Sequence, residues 1–136
     1  MPAGPSRTGV SNDPSVNEQF VIAISTFSDV ETARKISREL VDSALVACAN
    51  IIPAVESIYY WKEKVETSAE SLAIFKLTAA RYSEFESRLR ALHPYDVPEV
   101  VRLNITGGSA DYLRWIGENC SRQSSRAQPR DPAAKA

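Results

Sequence analysis

Apolar positions along the chain change their period several times, and each change marks an element. Phe20-Val21-Ile22-Ala23-Ile24-Ser25-Thr26-Phe27 is apolar at nearly every position. A run apolar on both faces predicts a central strand. Ser28-Asp29-Val30-Glu31 reads as a capping box, with Ser28 as the cap and Glu31 reaching back. Val30, Ala33, Ile36, Ser37, Leu40, Val41 and Ala44 follow at helical spacing and form one stripe. From Ala47 to Thr78, β-branched and aromatic residues dominate, interrupted by Lys62-Glu63-Lys64. This stretch predicts one long antiparallel hairpin that turns near Lys62 to Val65. Pro53 cannot donate to a sheet ladder, so a bulge, kink or edge is expected there. Ser83-Glu84-Phe85-Glu86 reads as a second capping box, and Phe85, Leu89 and Leu92 as a shorter helical stripe. Pro94 ends that helix at His93. Val100 to Thr106 alternates, with Val101, Leu103 and Ile105 expected to face the core. Gly107-Gly108 break the strand, and Ser109 caps a last short helix with Tyr112, Trp115 and Ile116 inward.

The order is strand, helix, strand, strand, helix, strand, then a closing helix. That order predicts an α+β fold, a ferredoxin-like split βαβ sandwich with a long β-hairpin and a short C-terminal helix. Both main helices are expected on one face of a four-stranded antiparallel sheet. The other face then lies bare. On the returning hairpin strand Ser71, Ala73, Phe75 and Leu77 point one way, and Leu72, Ile74, Lys76 and Thr78 the other. On the outgoing strand Ile58 and Tyr60 oppose Tyr59 and Trp61 in the same way. Large open apolar patches mark interfaces, so the chain is expected to assemble with itself.

Composition sets the boundaries of this core. Residues 1–17 and 121–136 hold Pro, Gly, Ser, Asn, Arg and Ala with hardly a periodic apolar residue. Both are expected to be disordered tails around one domain at 18–120. The formal net charge of −1 is no footprint of a nucleic-acid binder. No apolar run is long enough to cross a bilayer, and the N-terminus lacks the apolar core of a secretory signal. Cys48 and Cys120 are far apart, without the spacing of a zinc site or a disulfide framework. A cytoplasmic setting is the expectation.

Chemistry is sparse. There is one histidine, His93, and no Ser-His-Asp order or Walker spacing, so an enzyme is not expected. Cys48 reads as a small buried hydrophobe. Leu92-His93-Pro94-Tyr95-Asp96-Val97-Pro98-Glu99 places imidazole and carboxylates in a segment stiffened by two prolines. Such groups bind transition metals or move protons, but on spacing alone a rigid loop capping nearby backbone is the simpler account, since a usual site needs three or more ligands. Lys76, on a central strand, either snorkels, pairs with a carboxylate, or contacts a ligand in an intersubunit cleft. Tyr59 and Trp61 line that same cleft or anchor the interface.

Four stretches together carry a resemblance: Ala47-Cys48-Ala49-Asn50-Ile51-Ile52-Pro53; Ser57-Ile58-Tyr59-Tyr60-Trp61 with Lys64; His93-Pro94-Tyr95 with Pro98-Glu99; and Asp111-Tyr112-Leu113 with Trp115. In these the chain resembles the CutA family of divalent-cation tolerance proteins, from about Phe20 to Asn119. The resemblance implies a ferredoxin-like subunit in a homotrimer and a part in copper or other divalent-ion tolerance, with no established enzymatic activity. Its likeness to PII signalling trimers implies, as the alternative, sensing of a small anionic ligand in the intersubunit cleft. A purely structural trimer is a third reading. Copper-linked members carry a Cys where this chain has Ser25, and many have a doubled histidine where it has Leu92-His93. Glu63 stands where the family commonly turns on glycine. The expected metal ligands are His93 and Glu99, holding copper or another divalent ion weakly, with Cu(II) preferred over Cu(I) and no metal needed for folding. The expected partners are the chain itself and a metal ion or small molecule, with neither nucleic acid nor membrane.

Overall fold

The computed structural model describes residues 19–122. Four strands and three helices follow in the order β1 (Phe20–Phe27), α1 (Val30–Asp42), β2 (Cys48–Trp61), β3 (Lys64–Thr78), α2 (Ala79–Leu92), β4 (Val101–Ile105) and α3 (Ala110–Ser121). The strands form one antiparallel sheet in the order β2-β3-β1-β4. This is the ferredoxin-like arrangement, with β1 and β3 central. The expected tails lie outside the described residues, except that Ser121 closes α3 and Arg122 follows as its C-cap.

One sheet face carries Val21, Ala23, Ser25 and Phe27 of β1 beside Ser71, Ala73, Phe75 and Leu77 of β3. All eight are buried. Ala33, Ile36 and Leu40 of α1 and Phe85 and Leu89 of α2 close over them in one core. On the opposite face Ile22, Ile24, Leu72 and Ile74 are only half-buried. Ile52, Val101 and Leu103 are exposed.

Several local expectations are corrected. Asp29, not Ser28, caps α1, and its carboxylate accepts from Thr32 N at 2.7 Å and Thr32 Oγ1 at 3.1 Å. Glu31 pairs with Arg34 instead of closing a capping box. The helix stops at Asp42, so Ala44 is not a helical position but a left-handed one, at φ 62°. Ala44 N donates to Val41 O and Leu45 N to Leu40 O, a Schellman closure with alanine in the seat glycine usually takes. Ser83 lies inside α2, not at its start, because β3 runs directly into the helix at Ala79. Arg81 secures that junction by donating to Ala44 O at 3.2 and 3.0 Å.

Strand β4 departs from expectation at Val101 and Leu103, while Ile105 does pack against the core. It pairs Val101 with Ile24 and Leu103 with Ile22, which puts both on the open face. Arg102 and Asn104 pair with Ala23 and Val21 on the helix side, where the Arg102 guanidinium lies 5.0 Å from the centre of the Tyr82 ring. Alternation separates two faces of a strand, but does not say which one the helices cover. In α3 the buried residues are Leu113, Ile116, Gly117 and Cys120. Tyr112 and Trp115, expected inward, stack on each other in an exposed pair.

Candidate functional site

The hairpin turns on Lys62 and Glu63, both in the left-handed region at φ 49° and 68°. Trp61 faces Lys64 across the turn. Further down, β2 carries one extra residue between Ile52 and Val55, the bulge expected at Pro53. Ser71 Oγ donates to Pro53 O at 2.7 Å and holds the bulge in place. The extra residue reverses the facing of everything beyond it. Before the bulge Cys48, Asn50 and Ile52 lie opposite Lys76, Ile74 and Leu72 on the open face. Beyond it Ser57 and Tyr59 lie opposite Ser68 and Glu66. A slip of one residue would send Tyr59 and Trp61 to the other side.

That reversal builds a groove of about 1030 Å³. The hairpin supplies Ser57, Tyr59, Trp61, Ser68 and Glu70. The end of β1 supplies Thr26 and Ser28, and the loop after α2 supplies Tyr95, Asp96, Val97 and Glu99.

A hydrogen-bonded chain runs beneath it. His93 is 6% exposed, stacked on Phe27 at 4.6 Å and tilted against Tyr95 at 4.6 Å. Its Nε2 lies 2.8 Å from Thr26 O, so that nitrogen carries the proton. Its Nδ1 accepts the Tyr95 amide at 3.1 Å. Burial therefore lowers the His93 pKa, against smaller raising effects of the Thr26 carbonyl and of Glu70. Tyr95 OH donates to Glu70 Oε2 at 3.0 Å, and Ser57 Oγ to Glu70 Oε1 at 2.8 Å. Burial first, then the Glu70 carboxylate, pushes the Tyr95 phenol up to about 12. On the other side of Thr26, its Oγ1 donates to Glu99 Oε1 at 3.5 Å. Strand β1, the loop after α2 and the hairpin are thus tied together by polar groups.

Of the residues expected at a site, Tyr59, Trp61 and Glu99 line this groove and His93 lies under it. Lys76 does not join them within one chain. It sits far along β3, opposite Cys48, with Nζ 3.3 Å from Tyr112 OH. Cys48 is half-buried on the open face, 3.8 Å from the same hydroxyl, and not a core hydrophobe. Ser25 is buried on the helix-covered side, its Oγ without a hydrogen-bond partner among the described residues, and does not line the groove. Among the described residues no group of three or more His, Cys, Asp and Glu side chains is set to hold a metal ion. His93 has no spare lone pair while the Tyr95 amide occupies Nδ1. Glu70 and Ser57 were invisible to sequence reasoning, because only the tertiary fold brings Tyr95 to Glu70 and only the bulge in β2 turns Ser57 onto the same carboxylate. The available signal was Pro53.

Residues 21–119 match the family model described as CutA1 divalent ion tolerance protein. The Divalent-cation tolerance protein CutA of Thermus thermophilus is 41% identical over 98 residues, 72% of this chain and 95% of the relative. Protein CutA 1, chloroplastic, of Oryza sativa is 36% identical over 104 residues, 76% of this chain and 58% of the relative. Among solved structures, the divalent cation tolerance protein of Thermus thermophilus is 40% identical with a TM-score of 0.71, covering 74% of this chain and 97% of that one. CutA1 of Oryza sativa is 36% identical with a TM-score of 0.73, covering 78% and 96%. No helix among the described residues is long and apolar enough to cross a membrane.

Proposed function

The chain belongs to the CutA1 divalent ion tolerance family, and from that premise we propose that it works as a homotrimeric binding protein, not an enzyme, that captures divalent metal weakly in the groove between hairpin and loop. The observation that carries this reading is the chemistry of the groove lining: the carboxylates of Glu70, Asp96 and Glu99 line it without forming a three-ligand cluster among the described residues, and no thiol does. Oxygen donors with one imidazole in reserve suit Cu(II) and zinc better than Cu(I). Glu99 is the anchoring ligand.

His93 is the conditional second ligand. A metal-binding histidine usually donates its other ring N–H to a carbonyl or carboxylate. His93 already does so, through Nε2 to Thr26 O. Its Nδ1 becomes a donor to metal only when the Tyr95 amide is released, and the cost of that release keeps affinity low. A neighbouring subunit completes the coordination. A cytoplasmic setting is part of the proposal. It is supported by Cys48 and Cys120, which are not joined in a disulfide; relatives include one named chloroplastic.

Calorimetric titration of Cu(II) and Zn(II) at neutral pH tests the assignment. Glu99→Gln is expected to weaken Cu(II) binding by about tenfold or more, roughly 1.4 kcal/mol. His93→Ala weakens it less, since its nitrogen must first be freed. Equal affinity in the parent and both variants rejects this site.

A further inference from the structure

A second open groove, about 860 Å³, lies between α1 and the first half of β2 and shares no residue with the first. Val41, Ala49 and Ile51 make it apolar on one side. Arg34, Lys35, Arg38 and Arg122 give it four cations. Two of these are engaged: Arg34 pairs with Glu31 at 3.1 Å, and Arg122 donates to Val41 O at 2.5 Å. Lys35 and Arg38 have no ion pair or hydrogen bond among the described residues. The acids that also reach the groove, Glu39 and Asp42, are themselves partnered, Glu39 by Arg88. The positive charge left over is therefore carried by exposed, uncompensated side chains.

Ser37 is the independent observation. It lines this groove, is 4% exposed, and its hydroxyl is buried with no hydrogen-bond partner among the described residues. A buried hydroxyl normally has a partner, because leaving it unpaired forfeits its hydration with no return. Sequence periodicity had put Ser37 on the buried stripe of α1, where an apolar residue would pack at no such cost. A donor held dry beside two free cations and an apolar wall has the composition of a ligand site: a few polar groups on an otherwise apolar surface.

We infer that this groove binds a small organic phosphate, with the phosphate on Lys35, Arg38 and the Ser37 hydroxyl and the apolar body against Val41, Ala49 and Ile51. The guanidinium fork of Arg38 matches phosphate oxygens two at a time, and the lysine adds a point charge. Two unpaired cations favour a dianion over a single carboxylate. A chain net charge of −1 favours a small molecule over a nucleic-acid strand.

The test uses the full chain at low salt, with adenosine 5′-monophosphate and inorganic phosphate as probes in separate calorimetric titrations. The nucleotide is expected to bind, with inorganic phosphate weaker by about tenfold because it cannot use the apolar wall. Arg38→Glu is expected to weaken the nucleotide by more than about tenfold. Ser37→Ala is expected to weaken it by roughly threefold while leaving the melting temperature equal or higher, since the unpaired hydroxyl is gone. No heat with the nucleotide overturns the inference. So does parental affinity in either variant, or inorganic phosphate binding as tightly as the nucleotide. A lower melting temperature in Ser37→Ala would show that the hydroxyl is satisfied within the protein, and overturns it too.

Discussion

His93 is the only histidine in the chain, and every polar atom of its ring is committed to backbone. Neutral, it joins Thr26 to Tyr95; protonated, it loses the acceptor that holds the Tyr95 amide. Its folded pKa lies below the ordinary value of 6.5, with burial as the largest cause. The unfolded chain therefore binds this proton more readily than the folded one, and stability falls as acid favours the unfolded side. The contribution is complete above about pH 6.5 and drains away as pH falls from there through the lowered folded value. Urea midpoints measured from pH 8 to pH 5 should decline over that window in the parent and stay nearly level in His93→Gln. Parallel profiles for the two proteins would mean that another group titrates. Glu70 is the charged neighbour that acts on the ring. Glu70→Gln removes its raising influence, so the decline should begin at the same pH and extend to lower pH than in the parent.

Among the elements, the start of α1 and the hairpin turn each rest on a single residue choice. Asp29 accepts from both the amide and the hydroxyl of Thr32, whereas Ser28 only donates to Asp29 Oδ2 at 3.3 Å. Asp29→Ala should therefore lower the melting temperature clearly more than Ser28→Ala. The reverse order would restore Ser28 as the cap. At the turn, Glu63 occupies a left-handed conformation at φ 68° that costs a side-chain-bearing residue steric strain. A two-residue hairpin turn with both φ values positive favours glycine at its second position. Glu63→Gly should stabilise the chain by about 0.5–1 kcal/mol, the gain being reduced by glycine's larger unfolded-state entropy. Chemical denaturation decides this; a destabilised variant would show that the Glu63 side chain holds the tip.

For the whole molecule, the open sheet face is the dominant feature. Leu103 is 53% exposed and Val101 48%, beside the half-buried Ile22 and Ile24 of β1. Oligomerisation through this face is the proposed reason that so many aliphatic residues sit there. Leu103→Asp should shift the light-scattering mass at micromolar concentration from the assembled to the monomer value. Its secondary structure should survive, because Leu103 packs on neither main helix. A parental mass for the Asp variant would move the interface elsewhere, with the exposed hairpin end at Tyr60 and Trp61 as the next surface to change.

The period of the apolar residues was enough to determine the strands, the helices, their order and hence the ferredoxin-like topology. Each of these depends on contacts close along the chain or on which residue types fit a pleat or a turn. Pro53 foretold the bulge for the same local reason, since a residue with no N–H cannot hold a place in the ladder. Facing was different. Val101 and Leu103 alternate with Arg102 and Asn104 whichever side the helices take, so only the pairing of β4 with β1 decided that the aliphatic pair lies open. The groove was also a tertiary outcome. The residue count of the bulge turned Ser57 and Tyr59 toward Glu70, and Tyr95 closed onto that carboxylate from a loop 25 residues away. Sequence located His93 and Glu99 in one stiff segment. Only packing determined that the imidazole would spend both nitrogens on Thr26 and Tyr95, because a buried ring must satisfy its polar atoms with whatever backbone the fold brings beside it.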